Sequence, residues 1–252
     1  MKIFRSLFII LLMVAVVAAT AQTADEIIDN YFENTGGAEP WNNLEGIKYV
    51  GSANAQGMTI PVEYYLTKDG KQLLKINLQG QEMVQFSFDG EKMWTTNFMT
   101  MQPEEADSET THNMKNQTKD FPDPFLNYKE KGYSVELIGT ETMEGTETYK
   151  IKLTRKPMLV DGKEEPNVTY FYFESENFVP IATEAEVQQG PMKGQVVKDT
   201  MSDYQEVDGL YFPFAITMGG GQPVTITEIV LNPEIDEAMF LMPAAADAEE
   251  KK

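Results

Sequence analysis

Residues 58–78 read Met-Thr-Ile-Pro-Val-Glu-Tyr-Tyr-Leu-Thr-Lys-Asp-Gly-Lys-Gln-Leu-Leu-Lys-Ile-Asn-Leu. Met58, Ile60, Val62, Tyr64 and Leu66 alternate with Thr59, Pro61, Glu63, Tyr65 and Thr67, a period of two that belongs to a strand and not to a helix. Asp69-Gly70 interrupts the pattern with a dipeptide that accepts the positive φ angles of a tight hairpin. Leu74, Ile76 and Leu78 then alternate with Lys75 and Asn77. Downstream, Gly80 allows the next reversal, Val84, Phe86 and Phe88 share a face, and Asp89-Gly90 turns the chain into Met93-Trp94. From Gly46 onward this is a meander of about five antiparallel strands with one consistently apolar face.

The same period resumes at Tyr133 and runs almost to the end, through Val135-Leu137, Tyr149-Ile151-Leu153, Val168-Tyr170-Tyr172, Ile181, Val187, Val196, Tyr211, Ile216 and Val224-Ile226. Asp161-Gly162 and Asp208-Gly209 mark further hairpins. Upstream, Thr23 and Glu26 form a capping box, and Ile27, Ile28, Tyr31 and Phe32 make one apolar stripe of a helix that Gly36-Gly37 ends. Trp41 and Leu44 belong to a short second turn. Residues 102–120 are polar and read as a mobile connection with one polar helix, and Asp123 to Lys131 as a short helix. A sheet this long must curl to bury its inner face. The fold class is therefore mainly β (α+β): a curved antiparallel half-open β-barrel of about 10–11 strands, with the N-terminal helix and a short helical lid over its concave face. Residues 22–243 form one domain, and 244–252 a disordered charged tail.

Lys2 and Arg5 precede an apolar run, Leu7 to Val17, and Ala19-Thr20-Ala21 fits the small-x-small rule of signal-peptidase cleavage. Gln22 is the expected first mature residue, and the expected location is the periplasm. With Lys2 and Arg5 removed, Lys+Arg falls from 20 to 18 against 40 Asp+Glu, a formal charge of −22. That field disfavours nucleic acid and anionic headgroups. It reads equally as simple solubility. With no cysteine, no disulfide forms and no lipid can be attached through a thiol.

Catalytic chemistry finds no footing. His112 is the only histidine, which rules out a multi-histidine metal site, and the absence of cysteine rules out a Cys-His pair. The polar stretch Thr110 to Asn116 around His112 reads as a solvated surface. Gly219-Gly220-Gly221 lacks the lysine and helix start of a phosphate loop. The expectation is no enzyme, no cofactor and no metal. Aromatic and methionine side chains stand out instead: Phe86, Phe88, Trp94, Phe98 and Tyr170 to Phe173, with Met58, Met83, Met93, Met99 and Met101. They serve either as ordinary core or as a soft surface for an apolar ligand. Alternation directs Tyr64, Leu66, Leu74, Ile76, Phe86, Phe88, Trp94 and Tyr172 inward, lining an apolar pocket beneath the Ile27, Ile28, Tyr31, Phe32 lid stripe.

Several segments, taken in order, resemble the LolA-like family of outer-membrane lipoprotein-sorting proteins. They are Ala24 to Ile28 ending in Thr35-Gly36-Gly37-Ala38, Phe88-Asp89-Gly90-Glu91-Lys92-Met93-Trp94, and Asp120 to Tyr128. Gly139-Thr140-Glu141 with Glu144-Gly145, Val207 to Pro213, and Leu231 to Asp236 before Phe240 complete the set. The resemblance implies a curved half-barrel with a helical lid and an acyl-chain cavity. It implies a monomeric periplasmic carrier or binder of lipoprotein acyl chains or another lipid, meeting a partner protein at the inner or outer membrane. A sensor or interaction module of the same fold is the alternative. The family's carriers hold the lid with an early-strand arginine, whereas this chain has none between Ser6 and Thr154. Lys48, Lys68, Lys71 and Lys75 are the substitutes on offer, without the planar fork of a guanidinium.

Overall fold

Thr23 starts the first helix by reciprocal capping: its Oγ1 accepts from the Glu26 N–H at 3.2 Å, and Glu26 Oε2 accepts from the Thr23 N–H at 2.8 Å. Helix α1 (Ala24–Asn34) ends at Thr35, followed by Gly36 at φ +109°. A Cβ on Gly36 would lie 2.1 Å from the Gly209 carbonyl oxygen, so only glycine fits where the helix end meets the Asp208-Gly209 turn. Helix α2 (Ala38–Asn42) follows, its Trp41 Nε1 donating to the Thr35 carbonyl at 3.1 Å. This computed structural model describes residues 22–55, 57–190, 192–219 and 221–243. The expected signal segment and the charged tail lie outside the described residues.

The strands are β1 (Gly46–Ala55), β2 (Met58–Thr67), β3 (Gln72–Leu78), β4 (Gln81–Phe88), β5 (Met93–Asn97) and β6 (Gln102–Glu105). After α3 (Ser108–Gln117) and a 3₁₀ turn (Thr118–Asp120) come β7 (Ser134–Met143), β8 (Thr146–Thr154), β9 (Met158–Val160) and β10 (Lys163–Glu165). The series closes with β11 (Val168–Glu174), β12 (Pro180–Glu186), β13 (Val196–Val207), β14 (Leu210–Met218), β15 (Gln222–Leu231) and a 3₁₀ turn at Glu237–Phe240. Thirteen strands build one antiparallel, unclosed sheet in the order β6-β5-β4-β3-β2-β1-β15-β14-β13-β12-β11-β8-β7, and β9 and β10 form a separate ribbon. The architecture is the curved half-open barrel expected. β1 pairs with both β2 and β15, so the last strand locks onto the first.

Three details correct the sequence reading. The sheet has more strands than expected, and one that was missed is β6, Gln-Pro-Glu-Glu, which has no apolar alternation and sits at the edge, where proline is tolerated. Residues 102–120 do contain the expected polar helix, α3, but β6 and the 3₁₀ turn, which were not expected, occupy much of the rest. Asp123 to Lys131 forms consecutive turns instead of a helix, with Phe125, Leu126 and Tyr128 buried all the same.

The main core lies between α1 and the concave face. Ile27, Ile28, Tyr31 and Phe32 pack there with Trp41, Ile47, Phe125, Ile151, Phe173, Phe212, Ile226 and Ile229. The convex face carries two smaller clusters: Tyr65 and Leu73 under Phe240, and Met143, Tyr172 and Ala182.

Candidate functional site

Register fixes the face of each side chain, because residues directly opposite one another across a ladder point the same way. Ile47, in the core under α1, pairs with Leu66, and Tyr49 pairs with Tyr64. Tyr64 pairs with Leu74 and Leu74 with Phe86, Val62 with Ile76, and Phe88 with Met93. Tyr64, Leu66, Leu74, Ile76, Phe86 and Phe88 therefore share the concave face. Tyr49 and Tyr64 stack with centroids 6.5 Å apart, and Phe86 stands edge-on to Tyr64 at 6.1 Å.

Trp94 and Tyr172 lie on the other face, against expectation. Trp94 pairs with Ser87, and both donate to the Phe240 carbonyl, from Nε1 at 2.9 Å and Oγ at 2.8 Å. Tyr172 donates its hydroxyl to Glu184 Oε2 at 2.6 Å, beneath the Lys150 ammonium. Its neighbours Phe171 and Phe173 are the inward pair, edge-on to Phe125 at 4.7 and 5.3 Å. Where both faces of a strand are aromatic, alternation alone cannot say which one faces the helix. Val84 also changes side. A bulge after Leu74 sets Lys75 opposite Val84 and Ile76 opposite Met83, so Val84 packs outward and Met83 inward.

The concave face is filled unevenly. Ile76 and Phe88 are buried, whereas Tyr49, Tyr64, Leu66, Leu74, Met83 and Phe86 are only half-buried. Tyr64, Leu74 and Phe86 belong to none of the three core clusters. They lie on β2, β3 and β4, to one side of the sheet partners that α1 covers.

A carboxyl at this depth has no local signature in the sequence. Asp123 Oδ2 accepts from the Tyr31 hydroxyl at 2.9 Å, and Oδ1 from the Phe125 N–H at 2.8 Å. Burial raises its pKa despite those bonds. The Tyr31 and Tyr204 phenols are pushed upward as well, first by burial and then by the Asp123 charge, and Tyr49 by burial, then by Tyr64 and Asp123. Asp123 thus sits among tyrosines behind the apolar side chains.

Arg155, just after β8, makes a tie between distant parts of the chain. Arg155 Nε donates to Asp120 Oδ2 at 2.7 Å and its guanidinium to Thr169 Oγ1 at 3.0 Å, while Tyr133 donates to the other Asp120 oxygen at 2.9 Å. This ties the 3₁₀ turn after α3 to β8 and β11. The four candidate lysines are engaged elsewhere: Lys48 with Glu63, Lys68 with Glu45, Lys71 with Asp69 and Glu237, and Lys75 with Glu82. Two polar cavities flank α3. One of about 260 Å³ is lined by Asn116, Asp120, Arg155 and Asn167, and one of about 300 Å³ by Glu109, Asp161, Gln189 and Lys193. None of the eight inward candidates lines either. His112 is exposed on α3.

Solved structures with this arrangement exist. A LolA superfamily protein from Nitrosomonas europaea superposes with a TM-score of 0.54 at 15% identity, covering 88% of this chain and 98% of its own. The fold is LolA-like. A DUF1329 family protein from Desulfovibrio piger matches equally, with a TM-score of 0.54 at 14% identity and the same coverage. A domain described as an outer membrane lipoprotein-sorting protein, from Vibrio parahaemolyticus, gives 0.51 at 13% identity over 85% of this chain and 94% of its own. No protein-family model and no curated protein matches in sequence. The LolA-like half-barrel is thus shared at only 13–15% sequence identity.

Proposed function

We propose that the half-buried stretch of the concave face binds an acyl chain of a lipid or lipoprotein. In this reading the protein is a monomeric periplasmic carrier, released from residues 1–21, that meets a partner at a membrane. One observation carries the reading: Tyr64, Leu74 and Phe86 lie side by side on the inner face, outside every core cluster and incompletely covered. Tyr49 and Met83 extend the strip on either side. An alkyl chain laid along it gains about 0.8 kcal/mol for each buried CH₂. Roughly ten methylenes then outweigh the cost of ordering the chain. No cationic partner is needed, which suits a face with none on this strip. The lipoprotein-sorting description of the Vibrio domain supports the choice of ligand class.

Native mass spectrometry of protein released from the periplasm tests the proposal. The carrier reading expects a bound species of lipid mass that delipidation removes and added fatty acid restores. A protein that carries no such species and takes up none would refute it.

A further inference from the structure

The two ends of this sheet differ in charge. At one end the turns between β2 and β3, β4 and β5, β7 and β8, β11 and β12, and β13 and β14 each contain an ionisable residue: Asp69, Asp89, Glu144, Glu176 and Asp208. At the other end the turns joining β1 to β2, β3 to β4, β5 to β6 and β14 to β15, which lie along one contiguous run of strands, contain none, whereas the β8–β11 connection further along that end carries Asp161, Lys163, Glu164 and Glu165. Neutrality reaches well down the strands. Gly51 to Val62, Met93 to Pro103 and Gly209 to Thr227 lack Asp, Glu, Lys, Arg and His entirely, in a chain that is 24% charged.

The neutral end is also where apolar side chains protrude. Met99 is 95% exposed, Phe98 50%, Met58 49% and Met218 49%, and Met101 adjoins them in the β5–β6 turn. Met192 and Val196, around the β12–β13 connection, lie instead beside charge, where Lys193 pairs with Asp161 at 3.7 Å. Five of the eleven exposed large apolar residues among the described residues thus stand on or beside the neutral turns. Exposed apolar surface this concentrated marks an interaction site.

We infer that this rim docks on the neutral interface of a phospholipid bilayer. Its shape favours a fluid partner. The apolar groups stand on separate tips, mostly as flexible methionines that adapt to a soft surface. The charge pattern favours the same partner. Elsewhere the acidic surface is repelled by a membrane that carries negative potential, and only these tips enter the interface without desolvating an ion. Adjacent strands of the sheet present the half-buried strip of β2 to β4 on the face that leads to this rim. The inference stands without that strip holding cargo, since docking is read with no ligand added.

The test uses the mature chain and phosphatidylcholine vesicles. Phe98→Trp introduces a reporter at the rim, and Tyr211→Trp one on the first strand residues beyond the charged Asp208-Gly209 turn. Flotation with the vesicles, persisting at high salt, is expected for the parent protein. So is a blue shift of the Phe98→Trp emission, above the unchanged background of Trp41 and Trp94, with none for Tyr211→Trp. Met99→Asp, at a position so exposed that folding is unaffected, should weaken partition at least tenfold, with an unchanged far-ultraviolet spectrum as the control. Failure to float, equal shifts at both reporters, or partition indifferent to Met99→Asp would each overturn the inference. So would a concentration-dependent dimer that Met99→Asp dissolves while vesicles are ignored, because a second copy would then be the occupant.

Discussion

One curved face of this protein is built in two ways. On β1, β15, β14, β11 and β8 its inward residues meet the stripe of α1 and the turns after Phe121, and they are buried as core. On β2, β3 and β4 the same alternation places Tyr64, Leu74 and Phe86 inward but outside every core cluster, and they stay only partly buried, although the Tyr64 phenol lies deep enough for burial to raise its pKa. Binary pattern therefore specifies a face and leaves open what covers it. Whether an apolar strand face becomes core or binding surface depends on how far the covering helix reaches.

Breaking the covered half should have the largest effect. Ile28 is buried on the inner face of α1, and Ile28→Asp would put an unpaired charge against the sheet, costing about 4 kcal/mol or more in chemical denaturation. Gly36→Ala should cost several kcal/mol too, since its Cβ would meet the Gly209 carbonyl in a backbone conformation that disfavours any side chain. Arg155→Ala removes the partner of a largely buried Asp120 and should cost about 3 kcal/mol, the low end for such pairs, because both side chains keep some exposure. Proteolysis within residues 102–120 should rise with it if the pair holds the α3 segment down.

The smallest effect concerns Asp123 and carries a sign. Its pKa is raised on folding, so its contribution to stability is complete below the unfolded carboxylate pKa and is lost as pH rises through the folded value. Asp25, Glu63 and Asp69 shift the opposite way and lose their contributions as pH falls. Asp123→Asn should consequently match the parent in acid and exceed it in thermal stability near pH 8. Equal melting temperatures for the two proteins at both pH values would mean that Asp123 is not held in a desolvated site.

Much of the fold was legible because its strands have one polar face. Residues 58–78 could be placed from alternation and Asp69-Gly70 alone, and Thr23 with Glu26 located the helix start correctly. Legibility failed where the period carried no contrast. Tyr172 stands between Phe171 and Phe173, Trp94 directly follows Met93, and both face outward. The bulge beside Gln85 flipped Val84 and Met83 without any glycine to announce it. β6 is polar on both faces and was invisible. Arg155 was noticed only as the lone arginine after the expected cleavage site, since its partner Asp120 lies 35 residues away and pairing across that distance has no local signature.

The central claim is that Phe86 and its neighbours form an open apolar strip and not a core. Titration of a fluorescent fatty-acid analogue against the parent, Phe86→Asp and Gln85→Asp tests it most directly, with unfolding measured on the same samples. Saturable binding by the parent and by Gln85→Asp is expected, with loss of binding in Phe86→Asp for about 1–2 kcal/mol of stability, well below the cost at Ile28. If Phe86→Asp instead unfolds the protein as Ile28→Asp does, while the parent binds no analogue, both halves of the face are core and the account is wrong.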